Sequence, residues 1–550
     1  MEIHIRSDDH WSKSGETLVS GNAFIDGEHV SREEFAARIS DADGKAGLLS
    51  ILSRANGFFS VIHREGDTVY AAVDHVRSWP LYYANTDEVY VSDSSEWVHK
   101  SGGQNGYDPT ATDEYIFTCY VTGSDTLSND VKQIQAGELV IFREGNAESS
   151  INKEQYYCYD PGRNVEPASA ETFEERLVEV FKRLIRYADG RTILLGLSSG
   201  YDSRLMALML RRLGYDDTVT YTTLTASGSR EKMRIAESIA EKLNFEHIEI
   251  TSEKSDFQQL QTADQSSLIH DVGFLSEYPH LYKFVLRRKL EEAGVEVEDV
   301  VHVLGHQLMS AGESLSGQIR EQDGISRGQF LDLMWNRHYA NWIAQGDTDF
   351  RRLFEGRILD RVPGALYEHG NFESTMDAVR GYEQWYWRER LPKYILARRE
   401  YEYLGFDMWY PLLDRRLCSF YERTRYQDKI ERRILENYVD ELHVRIVGES
   451  EEFDPRGTGE SFRERTWSSA TRLIHSLPDS LMDYIRKTYY DQRDIDWYEQ
   501  DPRYGIISKE EFESMSFYTI RPRTLLLLYL YQRGFWDVPV QNEFDRALQG

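Results

Sequence analysis

Apolar and polar positions change their rhythm part-way along the chain. In the first 160 residues the apolar runs are short and broken by turn clusters. Residues 17–25, 57–63, 68–73, 81–84 and 89–92 predict strands, divided by REGD, DHVRSWP and NTDE. Residues 32–39, opened by Ser31, and 48–54 predict short helices. By itself this pattern means an antiparallel sheet region. A polar passage, residues 160–171, supplies a linker. Thr172 then caps an amphipathic helix through about Tyr187, with Leu177, Val178, Phe181, Leu184 and Ile185 on one side. Beyond it, apolar runs at 192–197, 218–224, 247–250 and 300–304 predict buried strands. Residues 229–243 predict a helix between two of them, with Met233, Ile235, Ala236 and Ile239 inward. Strands alternating with helices imply a parallel, doubly wound sheet, which binds ligands at the carboxyl ends of its strands. Those ends are Leu197, the segment Thr222, Thr223 and Leu224, and the pair Leu304 and Gly305. From about Gln329 onward the pattern is helical and rich in Trp, Tyr and Arg, aromatics that read as core.

Composition narrows the class. At 550 residues, 40% hydrophobic and without a low-complexity tract, the chain is globular and long enough for two or more domains. No apolar stretch reaches the roughly 18 residues of a membrane span, and MEIHIRSDDHW lacks the basic-then-apolar order of a signal peptide. A cytoplasmic protein without a membrane partner is expected. The formal charge is 64 − 93 = −29, and of the 64 basic residues 15 are Lys and 49 are Arg. An acid-rich, lysine-poor surface suits a salt-loving cytoplasm and offers no basic stripe to nucleic acid. Cys119, Cys158 and Cys418 are scattered without metal-ligand spacing and read as ordinary buried thiols.

The candidate chemistry lies in TILLGLSSGYDSRLMALM, residues 192–209. A buried strand runs into a helix through Ser198, Ser199, Gly200, Tyr201, Asp202 and Ser203. The first N–H groups of a helix have no partner within it, so such a junction can hold an anion. The three serines add hydroxyl donors, Gly200 permits close backbone approach, and Asp202 could carry a magnesium ion accompanying phosphate. No Lys follows the glycine, so this is not a GxxxxGK[ST] loop. The plainer alternative is a Ser-Gly turn into a capped helix, with Asp202 stabilising its start.

SSGYDS resembles the SGGxDS pyrophosphate loop of the ATP-pyrophosphatase ligases, specifically the asparagine synthetase family, with Ser199 for the second glycine. NGFFSVIHREGDTVYAAVDHVRSWPLYYA, residues 56–84, is similar to the GxFA…RDxxGxxPLYY segment of that family's class II glutamine amidotransferase domain. AGELVIF and YYCY match the way that domain closes. The resemblance implies an α/β protein: an N-terminal Ntn-type antiparallel β-sandwich with helices over residues 1–160, then an adenine-nucleotide α-hydrolase-like domain over 172–550. The second domain would have a doubly wound parallel sheet and a helical C-terminal part. The family's glutaminase needs an N-terminal Cys, but Glu2 follows Met1, and SGNAFI, residues 20–25, stands in place of its NGEIYN pocket. The first half therefore resembles the members that lack this Cys, such as the beta-lactam-synthetase branch, and is expected not to hydrolyse glutamine.

Two later stretches depart from the family. LGHQLMS, residues 304–310, takes the place of SGxGxDE. Gly305 aligns with the family glycine, His306 stands where many members carry a catalytic glutamate, and Met309 replaces a magnesium-binding Asp, leaving Glu313 as the nearest acidic candidate. Residues 393–417 resemble the segment ending LExRxPFLDxxL, keeping Pro411, Leu413 and Asp414, with Asp407 for the usual Glu and Trp409 for the usual Arg. The region aligned with the family's catalytic Lys, residues 444–457, contains none. The resemblance implies a ligase that uses ATP with Mg2+ on Asp202. It would adenylate a carboxylate, aspartate or a related acid such as a sugar acid, and transfer ammonia or an amine, with His306 near the reacting group. The nucleotide would meet residues 197–203, Thr222, Thr223, Leu304 and Gly305. A degenerate ATP- or AMP-binding member without turnover is the main alternative, and an active glutamine-hydrolysing asparagine synthase is a third. Small-molecule substrates are the expected partners, and a homodimer is the assembly left open.

Overall fold

A computed structural model describes residues 1–103, 105–143, 150–162, 165–224, 230–259, 275–277, 280, 282–308, 324–339, 348–367, 371–396, 403–429, 432–448, 501–506 and 508–514. Met309, Glu313 and residues 449–457 lie outside these, as does part of the 393–417 segment.

The alternating apolar runs of the first half form two antiparallel-rich sheets. The larger contains β2 (Trp11–Ser14), β3 (Thr17–Ile25), β4 (Glu28–Val30), β5 (Asn56–Glu65), β6 (Thr68–Val73), β10 (Glu138–Arg143) and β11 (Ser150–Gln155). The smaller joins β1 (Glu2–His4), β8 (Val89–Ser92), β7 (Tyr82–Asn85) and β9 (Lys132–Gln133). Period-two alternation gives the large sheet two apolar faces. One packs Ile62, Val69, Ala71 and Val73 against Tyr83, Val89 and Val91 of the small sheet and Leu81 just before β7. The other packs Val19, Phe59, Val61 and Ala72 under α1 (Arg32–Ser40) and α2 (Gly44–Arg54). Ser31 caps α1 as the sequence implies, in a capping box with Glu34.

The second half is built on a parallel sheet. β12 (Ile193–Gly196), β13 (Thr218–Leu224), β14 (Glu246–Thr251), β15 (Val301–Val303) and β18 (Asp407–Trp409) stand in the order β14-β13-β12-β15-β18. All four pairings are parallel. A small ribbon, β16 (Ile325–Ser326) with β17 (Asn371–Phe372), lies apart from it. Helix α3 (Ala170–Ala188) precedes the sheet, α4 (Tyr201–Arg212) follows β12, and α5 (Arg230–Lys242) follows β13. α6 (Tyr282–Glu292), α7 (Thr375–Trp385), α8 (Arg415–Arg423) and α9 (Arg433–Val447) complete the scaffold used below. The whole is a mixed α/β structure with parallel and antiparallel sheets.

Two expectations need correction. The first helix of the second half starts at Ala170 because Ser169, not Thr172, is the cap and accepts the Thr172 N–H at 3.3 Å. Cys119 and Cys418 are buried as expected, but Cys158 is exposed. The polar passage after residue 160 is fastened at two points, where Gly162 N–H donates to the Glu422 carbonyl and Glu166 N–H to that of Arg423.

Candidate functional site

Strand order locates a crevice. From β12 the chain steps outward to β13 and β14, then returns to the other side of β12 to lay down β15. The strand order reverses there, and in open α/β sheets the carboxyl ends of the strands at such a switch point, here β12 and β15, are where ligands bind. The 198–203 loop and the segment 304–307 meet at that point. Gly305 approaches so closely that a Cβ on it would lie 3.0 Å from Asp202 Cβ.

The loop holds its own shape. Ser198 and Ser203 hydroxyls lie 2.9 Å apart, Ser198 N–H donates to Ser203 Oγ at 3.0 Å, and Gly200 N–H donates to Ser198 Oγ at 3.1 Å. Two of the three serines expected as phosphate donors are therefore occupied within the loop. The Ser199 hydroxyl makes no hydrogen bond among the described residues, and its carbonyl accepts Arg204 Nη2 at 2.9 Å. Arg204 is buried, with its guanidinium 5.1 Å from the Tyr201 ring centroid. Burial lowers its pKa to about 10, against the opposing pull of Tyr201 and Asp440. No side chain caps α4, whose Ncap is Gly200, although Asp202 does lie in its first turn as the plain Ser-Gly turn alternative expects. An uncapped, serine-lined helix start can hold an oxyanion.

Asp202 sits in the first turn of α4, half-buried, and its Oδ1 accepts both Gln307 Nε2 and Arg432 Nη2. Gln307 in turn accepts the Tyr421 hydroxyl at 3.2 Å. Sequence reasoning missed Arg432, Gln307 and Tyr421. Arg432 puts a cation beside the loop where the absent Lys left none expected, and it does so as the residue in left-handed conformation (φ +56°) that opens α9. Donor chemistry fits magnesium only in part. Asp202 offers the hard oxygen that the ion prefers, but a metal there would compete with Arg432. Among the described residues no three His, Cys, Asp or Glu side chains cluster as a metal set.

The other predicted residues flank this centre. Leu197 is buried, and its carbonyl accepts Thr222 Oγ1 at 2.7 Å, so Thr222 braces the strand end, while Thr223 is exposed. Leu304 is partly buried beside Gly196. His306 has its ring 6.3 Å from that of Tyr410, and burial, then the Lys283 cation, lowers its pKa to about 4. A neutral imidazole can exchange hydrogen bonds with a substrate near pH 7 but brings no charge.

No family model matches the chain, and no curated protein matches it. Among solved structures it is similar to the NH3-dependent NAD synthetase from Campylobacter jejuni, at 16% identity and a TM-score of 0.19, over 27% of this chain and 62% of that one. The match leaves over a third of that protein uncovered, and a likeness at that score fixes neither fold nor activity. No helix among the described residues is long and apolar enough to cross a membrane.

Proposed function

We propose that the chain is an ATP-dependent ligase of asparagine-synthetase type, with an amidotransferase-like domain over residues 1–160 and a synthetase-like domain over 172–550. The observation that carries this reading is the uncapped start of α4 at the β12/β15 crevice, with Asp202 and Arg432 beside it. In this reading residues 197–203 cradle the phosphates, Thr223, Leu304 and Gly305 border the nucleotide, and Ser199 donates to a phosphate oxygen. Arg432 turns from Asp202 to the departing pyrophosphate, supplying the charge that steadies such a transition state. Magnesium, when bound, would neutralise phosphate charge beside Asp202. A carboxylate is adenylated, an amine captures the activated acyl group, and AMP and pyrophosphate leave. In this reading the neutral His306 accepts a hydrogen bond from that amine, supported by its lowered pKa and its position after β15. The amine is taken as free: burial raises the thiol pKa of Cys418, Cys119 is buried, and Cys158, though solvent-exposed, has its thiol pKa raised by partial desolvation and then by the Asp160 carboxylate, so these cysteines do not offer the activated thiolate that glutamine hydrolysis requires.

A second reading, nucleotide binding without turnover, is favoured by one observation: Gln307 and Arg432 already occupy Asp202 Oδ1. Pyrophosphate release from ATP, measured in high salt against a panel of carboxylic and sugar acids with and without ammonium, separates the two. Release that depends on one acid and is lost in Asp202→Ala supports the ligase. ATP binding without release under any combination supports the second reading, and absence of ATP binding overturns both.

A further inference from the structure

A cavity of about 360 Å³ opens on the outer side of α3 and α8, away from the face of α8 that carries Tyr421 toward Gln307. Arg416, Ser419, Phe420 and Arg423 line it from α8, at the spacing of one helical face. Thr172 and Arg176 line it from the first turns of α3, and Glu166 from the segment leading into that helix. The start of α3 is already capped by Ser169 and adds little.

Three guanidiniums around one small cavity are unexpected in a chain whose net charge is −29. Two of them share a single carboxylate oxygen: Arg176 Nη1 reaches Glu179 Oε2 at 3.0 Å, and Arg416 Nη1 reaches the same atom at 2.9 Å. A guanidinium has five N–H donors, so one shared acceptor leaves most of their capacity unused. The side chain of Arg423 makes no hydrogen bond or close ion pair among the described residues, and its charge acts on the neighbouring Glu422 carboxylate. Glu179, Glu166 and Glu422, the last acting on Arg423, match the three arginines in number, so what the cavity offers an anion is unused donor geometry rather than excess charge. The volume lies at the low end of the roughly 300–1,000 Å³ typical of ligand pockets, which suits a small molecule. Planar guanidinium forks match carboxylate and phosphate oxygens in pairs.

We propose that this cavity is a second binding site, separate from the β12/β15 crevice, for a small multiply charged oxyanion held by Arg423, Arg416 and Arg176. Phosphate esters and polycarboxylates share that chemistry. The experiment is calorimetric titration of the full-length protein at low chloride with inorganic phosphate in one arm and citrate in the other. The double variant Arg416→Gln, Arg423→Ser is compared with Ser199→Arg, which obstructs the α4 loop. Both substituted arginines are at least partly exposed, and unchanged circular dichroism of the double variant establishes that it folds. We expect at least one anion to bind with one-to-one stoichiometry, at least tenfold more weakly in the double variant and unchanged in Ser199→Arg. Binding of phosphate alone assigns the site to phosphate esters, and binding of citrate alone to polycarboxylates. Binding that survives the double variant, binding lost in Ser199→Arg, or no binding of either anion overturns the proposal. None of these outcomes bears on ATP turnover, so the site stands or falls apart from the ligase reading.

Discussion

At the scale of single residues, two glycines of the crevice make opposite demands. A Cβ at Gly305 would meet Asp202 Cβ at 3.0 Å and Met206 Cε at 3.3 Å, so the first turns of α4 must give by a few tenths of an ångström to admit it. A Cβ at Gly200 would meet only Ser198 Oγ, at 3.3 Å, and Gly200 has an ordinary φ of −78°. Gly305→Ala should therefore cost about 1–3 kcal/mol in urea unfolding, as overpacking does, while Gly200→Ala changes stability by less than about 1 kcal/mol. Equal effects would mean that the close approach of Gly305 to α4 is wrong. Arg432 makes the second residue-scale prediction. A charge-assisted hydrogen bond contributes about 1.5–3 kcal/mol, so Arg432→Gln should weaken pyrophosphate binding by about tenfold to a hundredfold in calorimetry. Tighter binding in the variant would show instead that Arg432 plugs the loop. Sequence alone could not reveal this pair, because Asp202 and Arg432 are 230 positions apart and no local pattern links them. The serines of the loop were legible as a group, but which hydroxyl remains available depends on the turn geometry that pairs Ser198 with Ser203.

At the scale of elements, helix starts test the capping logic. Ser169 Oγ accepts the Thr172 N–H, so Ser169→Ala should lower stability by about 1 kcal/mol while Thr172→Ala does less. Comparable losses would restore the Thr172 cap that the sequence suggests. The strand β15 carries a pH prediction. His302 is fully buried, with Nε2 2.8 Å from the Tyr221 hydroxyl, and burial, then Lys283 and His306, lowers its pKa to about 3. Unfolded, it titrates near 6.5, so between about pH 6.5 and 3 the unfolded chain binds a proton that the folded chain does not. Stability must fall as pH drops through that window, by about 1.4 kcal/mol per pH unit for this group. His302→Gln should be shallower by about that slope in denaturant unfolding between pH 4 and 6, and an unchanged slope would show that His302 titrates normally in the fold. Elements with clear period were legible: Thr17–Ile25, Thr68–Val73, Val89–Ser92 and Thr218–Leu224 fall where the sequence places strands. Asp407–Trp409 was not, since three residues show no period and its Asp407 is held by Arg191 and Tyr187 from distant elements.

At the scale of the whole molecule, the two halves share a core and a buried polar node. Phe58 packs edge-on to Trp409 at 5.0 Å, and Asp414 accepts Asn56 Nδ2 from the first half and Arg183 Nη1 from α3, both at 2.8 Å. Sequence patterns divided the chain at a linker but could not foresee this union, which depends on residues 358 positions apart. Charge acts on the same scale, and two opposed effects decide how salt alters stability. Exposed pairs such as Arg54 with Asp26 at 2.7 Å weaken as salt screens them, but each contributes only about 0–1 kcal/mol. Buried pairs, Arg77 with Glu277 at 3.1 Å and Lys429 with Glu383 at 2.8 Å, are screened much less. The excess of 29 negative charges is spread over the entire chain, and its repulsion is relieved as the screening length contracts from about 10 Å at 0.1 M to about 3 Å at 1 M. Relief of this collective repulsion should exceed the loss of scattered pairs, so the melting temperature should rise continuously in potassium chloride from 0.1 to about 1 M. The same rise in potassium acetate at equal ionic strength would assign it to screening rather than to chloride binding. A falling melting temperature would mean that the arginine-carboxylate pairs, not the net charge, dominate the electrostatics of this fold.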